Sequence, residues 1–188
     1  MRKRTVALAT QRFDDPRNLR DFTAVTLLAT SPFLLVAHPA VPAKSVKELV
    51  DLARAKPGTL NYGSSGAGSS LHLTSEYFKY VAKVNITHVA YKGTGPALAG
   101  LLGGEVQMVF STPAPALPQV KAGKLRALGV STLKRVKGAP DVPTIAESGV
   151  PGFEVANWQG IVAPAKTPPA IIVRLNRELT AIPSHRRW

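Results

Sequence analysis

The sequence predicts an α/β fold built around a parallel-rich sheet. Two observations predict it. Short runs of β-branched and apolar residues alternate with longer segments whose apolar residues recur at helical spacing. Glycine or proline closes most of those longer segments, where helices stop and strands resume. Such alternation marks βαβ units, whose right-handed crossovers bring the loop after each strand to one edge of the sheet. A chain of 188 residues, 45% hydrophobic, suffices for one core or two small lobes.

The elements follow in order. "FTAVTLLATSPFLLVAHP" (22–39) reads as two strand segments broken at Ser31-Pro32. "SVKELVDLARAKPG" follows as a helix. Ser45 and Glu48 have capping-box spacing, Val46, Leu49, Val50 and Ala53 share one face, and Pro57-Gly58 ends it. "TLNYG" is a short strand and "SSLHLTSEYFKYVAK" a helix. "NITHVAY" and "GPALAGLLGG" repeat the pair, with Gly103-Gly104 as the stop. "VQMVF" and "APALPQVKAG" repeat it again, and "LRALGVS" is a further strand. Residues 132–142 read as a loop, "VPTIAESG" as a short helix, "FEVANWQGIVAP" as a strand and "PPAIIVRLNRELT" as a last helix. The segments "LLVAHPAVPAKSV" and "GIVAPAKTPPAII" each run strand, proline-rich joint, helix, and they bracket residues 44–163 as one lobe.

Ligands of open α/β sheets sit at the edge where strands end. Three loops fall there together: Gly63–Ser70, Lys92–Gly95 and Ser111–Pro113. The first, within "YGSSGAGSSLHL", fails three motifs. Gly63, Gly68 and Ser70 fit the P-loop, but Ser69 stands where its lysine must reach the β and γ phosphates. Gly66 and Gly68 begin a dinucleotide pattern that Leu71 breaks, and no serine has the glycine flanks of a nucleophile elbow. What remains is a loop of free backbone amides and hydroxyls ahead of a helix start, which suits an anion; a plain turn capping a helix fits the same residues. "YKGTGPAL" (91–98) adds Lys92, Gly93 and Gly95, and it too reads equally as a strand-to-helix turn.

The other chemistry-bearing residues are dispersed. His72 offers a general base, though a local hydrogen bond in the first helical turn is favoured, and His88 suits a structural place on its strand. His38 precedes Pro39, and His185 lies in the basic tail; the four show no metal-ligand spacing. Glu105, Asp141, Glu147 and Glu154 are scattered, with no paired-carboxylate logic. Trp158 beside Asn157 suits a pocket wall or the core. The chain has no cysteine, which excludes disulfides, thiolate metal sites and cysteine nucleophiles. Neither metal nor cofactor is expected, and a binder is favoured over an enzyme.

A net charge of +13 invites a nucleic-acid reading. Its distribution argues otherwise. Arg2, Lys3, Arg4, Arg12, Arg17, Arg20, Arg186 and Arg187 crowd the ends, and no basic run is interleaved with aromatics. No nucleic-acid partner is expected. No apolar run reaches the roughly 20 residues of a membrane span. In "MRKRTVALATQRF" the apolar part is too short for a signal peptide, so no export signal is recognised.

Five blocks carry a resemblance: "HPAVPAKSVKELV", "LNYGSSGAGSSLHLTSEYF", "VNITHVAYKGTGPALAGLLGGEVQMVF", "ALPQVKAGKLRALGVST" and "DVPTIAESGVPGFEVANWQGIVAPAKTP". In order, from about Asp14 to Leu179, the chain resembles the substrate-binding receptors of tripartite tricarboxylate transporters, the Bug family. The resemblance implies a periplasmic-binding-protein-like (type II) fold of two α/β lobes, a small carboxylate ligand, delivery to membrane permease subunits, and a periplasmic location. It also implies that Ser64, Ser65, Gly66, Gly68, Ser69 and Ser70 hold a ligand carboxylate. Lys92, Gly93, Thr94 and Gly95 would join them from the next loop, and Ser111 and Thr112 from the next strand end. The alternative is a nucleotide- or phosphate-binding α/β enzyme module using the same Gly/Ser loop.

Departures from the family pattern set the expected domains. Residues 1–21 form a segment unlike the family or disordered, 22–43 a crossing that is a remnant of the first lobe, 44–158 the second lobe, and 159–188 a return crossing with a shortened last helix. "AIPSHRRW" also departs. The first lobe is therefore expected to be incomplete, as in a truncated or frameshifted member. A half cleft would bind carboxylates weakly or not at all. Uncovered apolar surface on 22–38 and 159–175 would invite self-association.

Overall fold

The computed structural model describes residues 21–181. The basic residues at 2–20 and 186–187, His185, and the calls for residues 1–20 and for the tail "IPSHRRW" lie outside the described residues. Twelve elements follow in chain order: β1 (Phe22–Pro32), β2 (Leu34–Ala37), α1 (Val46–Ala55), β3 (Asn61–Ser64), α2 (Ser70–Ala82), β4 (Thr87–Ala90), α3 (Thr94–Leu102), β5 (Met108–Ser111), α4 (Pro113–Lys121), β6 (Arg126–Val130), β7 (Ala156–Pro164) and α5 (Pro169–Ala181). The strand–helix alternation read from the sequence is present. Contacts divide the chain into two units. One is Ser31–Asn157; the other joins residues 21–30 to residues 158–181.

In the Ser31–Asn157 unit five strands form one sheet in the order β4-β3-β5-β2-β6. β3 pairs in parallel with both β4 and β5, while β2 pairs antiparallel with β5 and β6. Four strands thus share one direction and β2 opposes them from inside the sheet. Strand periodicity places side chains on opposite faces. Phe33, Leu35 and Ala37 join Met108, Phe110 and Leu128 in one apolar cluster under α1 and α2. Leu34 and Val36 join Val109 and Val130 in the other, under α3 and α4. The result is a three-layer arrangement with both sheet faces covered, which explains why β2 and β5 are apolar at nearly every position.

Local chemistry accounts for the helices. Ser45 Oγ accepts from the Glu48 amide at 3.1 Å, and Val46, Leu49, Val50 and Ala53 are the buried residues of α1, as its spacing predicts. The reciprocal bond shifts by one residue, because Glu48 Oε2 accepts from the Lys44 amide at 2.7 Å. In α2 the inward face carries Leu71, Phe78 and Ala82. Phe78, Phe110 and Phe153 meet with ring centroids 5.8–6.0 Å apart, a cluster that ties α2 to β5 and to the chain after residue 150. Gly129 lets α1 approach β6, since a Cβ there would meet Ile145 at 2.8 Å and Val46 at 3.0 Å.

One element differs from expectation. "VPTIAESG" forms turns and a bridge from Thr144 to Val130, not a helix. The capping box itself forms: Glu147 N–H donates to Thr144 Oγ1 at 3.0 Å, and Thr144 N–H donates to Glu147 Oε1 at 3.1 Å. Propagation then fails because Gly149, at φ +115°, leaves the helical region two residues later.

In the second unit, β1 and β7 form a two-stranded sheet. Asn176 Nδ2 donates to the Val25 carbonyl at 2.7 Å, and the Ala165 amide to Asp21 at 2.8 Å. No residue of α5 is buried. Leu27, Leu28, Ile171, Val173 and Leu175 are exposed.

Candidate functional site

Because β3, β4 and β5 run parallel as neighbours, their C-terminal ends lie along one edge of the sheet. The three loops expected there are the ones found. Each leads at once into a helix: Gly63–Ser70 into α2, Lys92–Gly95 into α3, and Ser111–Pro113 into α4. Three helix N-termini therefore sit side by side, each with the positive end of a helix dipole; α2 and α3 open on amides lacking intrahelical acceptors, whereas Pro113 and Pro115 leave α4 the Ala114 amide alone in its first three residues.

The Gly/Ser loop is braced from within. Gly66 and Gly68 adopt φ of +126° and +75°, conformations that side-chain-bearing residues rarely take. The buried Ser64 hydroxyl donates to the Gly66 carbonyl at 3.2 Å and accepts from the Gly66 amide at 3.1 Å. Ser69 is the N-cap of α2, its Oγ accepting from the His72 amide at 3.3 Å. Gly68 N–H donates to His72 Nδ1 at 3.1 Å, the local bond that a first-turn histidine suggests. Ser64 Oγ and His88 Nε2 share a hydrogen bond of 2.7 Å.

The candidate residues thus divide by what they already hold. The hydroxyls of Ser64 and Ser69 serve the loop, and Ser111 Oγ donates to its neighbour's carbonyl at 3.1 Å. Among the described residues, the hydroxyls of Ser65, Ser70, Thr94 and Thr112 have no partner within the chain, nor do the amides of Ser65, Ala67, Ser70 and Leu71. The N-caps of α3 and α4, Gly93 and Thr112, make no side-chain capping bond. Gly93 lies at φ +122°, and Lys92 is exposed beside it. Donors predominate, with one lysine and no carboxylate in the three loops.

Tyr91 couples two of these loops. Its amide donates to the Ser64 carbonyl at 3.0 Å, and its phenol to Glu105 Oε2 at 2.9 Å. The ring lies where a Cβ on Gly100 would stand 2.3 Å from Tyr91 Oη, so α3 can seat against it only with glycine there. Burial, then the Glu105 bond, raises the phenol's pKa.

Beneath the Gly/Ser loop lies a cluster that residue-by-residue reading missed. Tyr62 stacks on His88 at 4.9 Å between centroids, and His88 lies 4.2 Å from His72. Tyr62 Oη donates to Glu76 Oε1 at 2.6 Å, and Lys79 Nζ to the same oxygen at 2.7 Å. Burial, then the Glu76 carboxylate, drives the Tyr62 phenol far above its ordinary range. Burial alone would raise Glu76, yet the bonds from Lys79 and Tyr62 prevail and hold it below the usual carboxylate value. Burial and then the His72 charge lower His88. The signal available in sequence was the β3–β4 register, which sets Tyr62 opposite His88.

Elsewhere, a cavity of about 260 Å³ lined by His38, Val41, Pro42, Leu60, Gly104 and Gln107 shares no residue with the three loops. Among the described residues no group of three His, Cys, Asp or Glu is placed to hold a metal ion. No helix there is long and apolar enough to cross a membrane.

Known proteins resemble this chain over most of its length. Residues 12–185 match the model of the tripartite tricarboxylate transporter family receptor. The chain belongs to this family. A UPF0065 protein from a tcbD–tcbE intergenic region of a Pseudomonas species is 39% identical over 180 residues, covering 93% of this chain and 54% of that protein. Protein BugT of Bordetella pertussis is 35% identical over 161 residues, covering 86% and 49%. Among solved structures, R. palustris Rpa4515 with adipate superposes with a TM-score of 0.79 at 42% identity, covering 86% of this chain and 54% of that one. MatC of Rhodopseudomonas palustris with bound malate gives 0.77 at 35% identity, covering 85% and 54%. The fold is accordingly that of the family's periplasmic-binding-protein-like α/β lobe, and the chain spans about half the length of the curated relatives it matches.

Proposed function

We propose that this chain supplies one wall of a solute-binding receptor for small carboxylates and has no catalytic role. One observation carries the reading: three helix N-termini and a glycine-rich loop with uncommitted amides and hydroxyls line a single sheet edge. A carboxylate is satisfied by two or three such donors, and helix dipoles favour its charge. Adipate and malate in the related structures are of this class. Ser65, Ser70, Thr94 and Thr112, with the free amides of the Gly/Ser loop, make the direct contacts. Ser64, Ser69, Ser111 and the glycines Gly66, Gly68, Gly93 and Gly95 shape the backbone that presents them. Lys92 adds long-range attraction. Ser69 spends its side chain on the α2 cap, where a P-loop would need a lysine for phosphate, so the nucleotide reading gains no support.

The receptor would act in the periplasm and pass its ligand to membrane permease subunits, the role of the family whose model it matches. Ligand contact would shift the protein toward a closed population, as in hinge-bending binding proteins. One wall alone binds weakly, with a dissociation constant of about a millimolar.

Titration of the ¹⁵N-labelled chain with adipate, malate, inorganic phosphate and Mg²⁺-ATP tests this. Adipate or malate should move the amide resonances of Ser65, Ala67, Ser70 and Leu71 in a saturable way. Phosphate or ATP moving them while the carboxylates do not would overturn the reading, as would carboxylate-induced shifts confined to residues outside the three loops.

A further inference from the structure

Two imidazoles stand under the Gly/Ser loop, one at each end of it. His88, from β4, bonds Ser64 Oγ where the loop leaves β3. His72, from the first turn of α2, accepts from the Gly68 amide where the loop enters the helix. Their rings lie 4.2 Å apart, and Tyr62 stacks against both, 4.9 Å from His88 and 6.4 Å from His72. The cluster is tied down by Tyr62 and Lys79 meeting on one oxygen of Glu76, with Lys79 also 5.5 Å above the Tyr62 ring. A loop with two positive-φ glycines has little conformational preference of its own. Its geometry has to be imposed, and these two bonds reach it from separate elements.

We propose that His72 and His88 are positioning residues that fix the two ends of the Gly63–Ser70 loop through their ring nitrogens. The consequence for ligand rests on the carboxylate reading above; the positioning itself does not. His72 can accept from Gly68 only with a lone pair on Nδ1, which an imidazolium lacks. A proton there would face the Gly68 N–H and release that end of the loop. The groups facing the pair are Ser64 and Tyr62 from β3 and Glu76 and Lys79 from α2. The one carboxylate among them is already shared by Tyr62 and Lys79, so it cannot neutralise two charged rings. The neutral imidazole is therefore the form that holds the loop.

Side-chain replacements separate positioning from mere filling. Asparagine places an acceptor near Nδ1, and glutamine a polar atom near Nε2; phenylalanine fills either space with no bond. In ¹⁵N spectra the Gly66 and Gly68 amides report the two ends of the loop. His72→Asn should leave the Gly68 amide near its position in the unmodified chain, whereas His72→Phe should displace it. At about pH 8, His72→Phe should weaken adipate about tenfold and His72→Asn less than about twofold. Val109 and Phe110 resonances report whether each variant is folded. Should both His72 variants unfold, His88→Gln and His88→Phe repeat the comparison through the Ser64 and Gly66 signals. Unmoved Gly66 and Gly68 amides in the phenylalanine variants, or polar variants that behave like phenylalanine, would overturn the proposal. If adipate moves no loop amide in the unmodified chain while His72→Phe displaces Gly68 and His72→Asn does not, positioning stands and the carboxylate reading fails.

Discussion

At the scale of single residues, Tyr91 and Gly100 show how little slack the site has. The ring of Tyr91 closes on Gly100 while its backbone holds the Gly/Ser loop. Gly100→Ala must displace the ring, and overpacking of this kind costs about 1–3 kcal/mol. The expected outcome is a lower denaturant midpoint together with altered amide shifts at Ser64–Gly66; a midpoint unchanged within error would show that the ring moves freely. His88 makes the second residue-scale prediction. Its native pKa lies below the unfolded value, so the unfolded chain takes up the proton more readily. Its contribution to stability is whole above about pH 6.5 and is lost as pH falls from there through the native value. Glu76, lowered rather than raised, adds a loss only at more acid pH, as its carboxylate is protonated. His88→Gln should flatten the melting-temperature profile between about pH 7 and pH 5. An unaltered profile would rule the imidazole out as its source. Neither pairing was legible in the string of letters, because His72 and His88 lie on different elements and meet only once β3 and β4 are in register.

At the scale of elements the sequence was most readable where short-range chemistry decides. The α1 cap and its buried face follow from Ser45 and the spacing of four apolar residues. Ser45→Ala should cost about 1 kcal/mol, read as a shift in urea midpoint with unchanged slope; a shift under about 0.3 kcal/mol would mean that Glu48 on the Lys44 amide holds the helix start alone. Thr144 and Glu147 show where the same rule misleads. Their capping box is real, but a helix also needs residues able to continue it, and Gly149 turns the chain away. Strand direction was less accessible still. An apolar tetrapeptide such as "LLVA" reads alike in either direction, and only its partners in space make β2 antiparallel. The three loops were legible as a group because parallel neighbours must end together, a rule of topology that local propensity does not carry.

At the scale of the whole molecule, apolar side chains reach solvent in both units. Leu73, Tyr77, Tyr80 and Leu133 do so in Ser31–Asn157, and Leu27, Leu28, Ile171, Val173 and Leu175 do so in the other unit. Surface of this kind favours association. Light scattering should therefore find species above 20.0 kDa at tens of micromolar, and Leu28→Lys with Val173→Glu should restore the monomer mass. A monodisperse 20.0 kDa particle across that range would refute self-association. The opposed strand inside the sheet sets a timetable as well as a shape. β2 leaves the ribosome early, yet its partners are β5 and β6. Synthesis at about 5–20 residues per second delays the arrival of Val130 behind Ala37 by roughly 5–20 seconds. For most of that interval neither native partner of β2 has been made, so the newborn chain carries "FLLVA" unpaired until β5 and then β6 arrive.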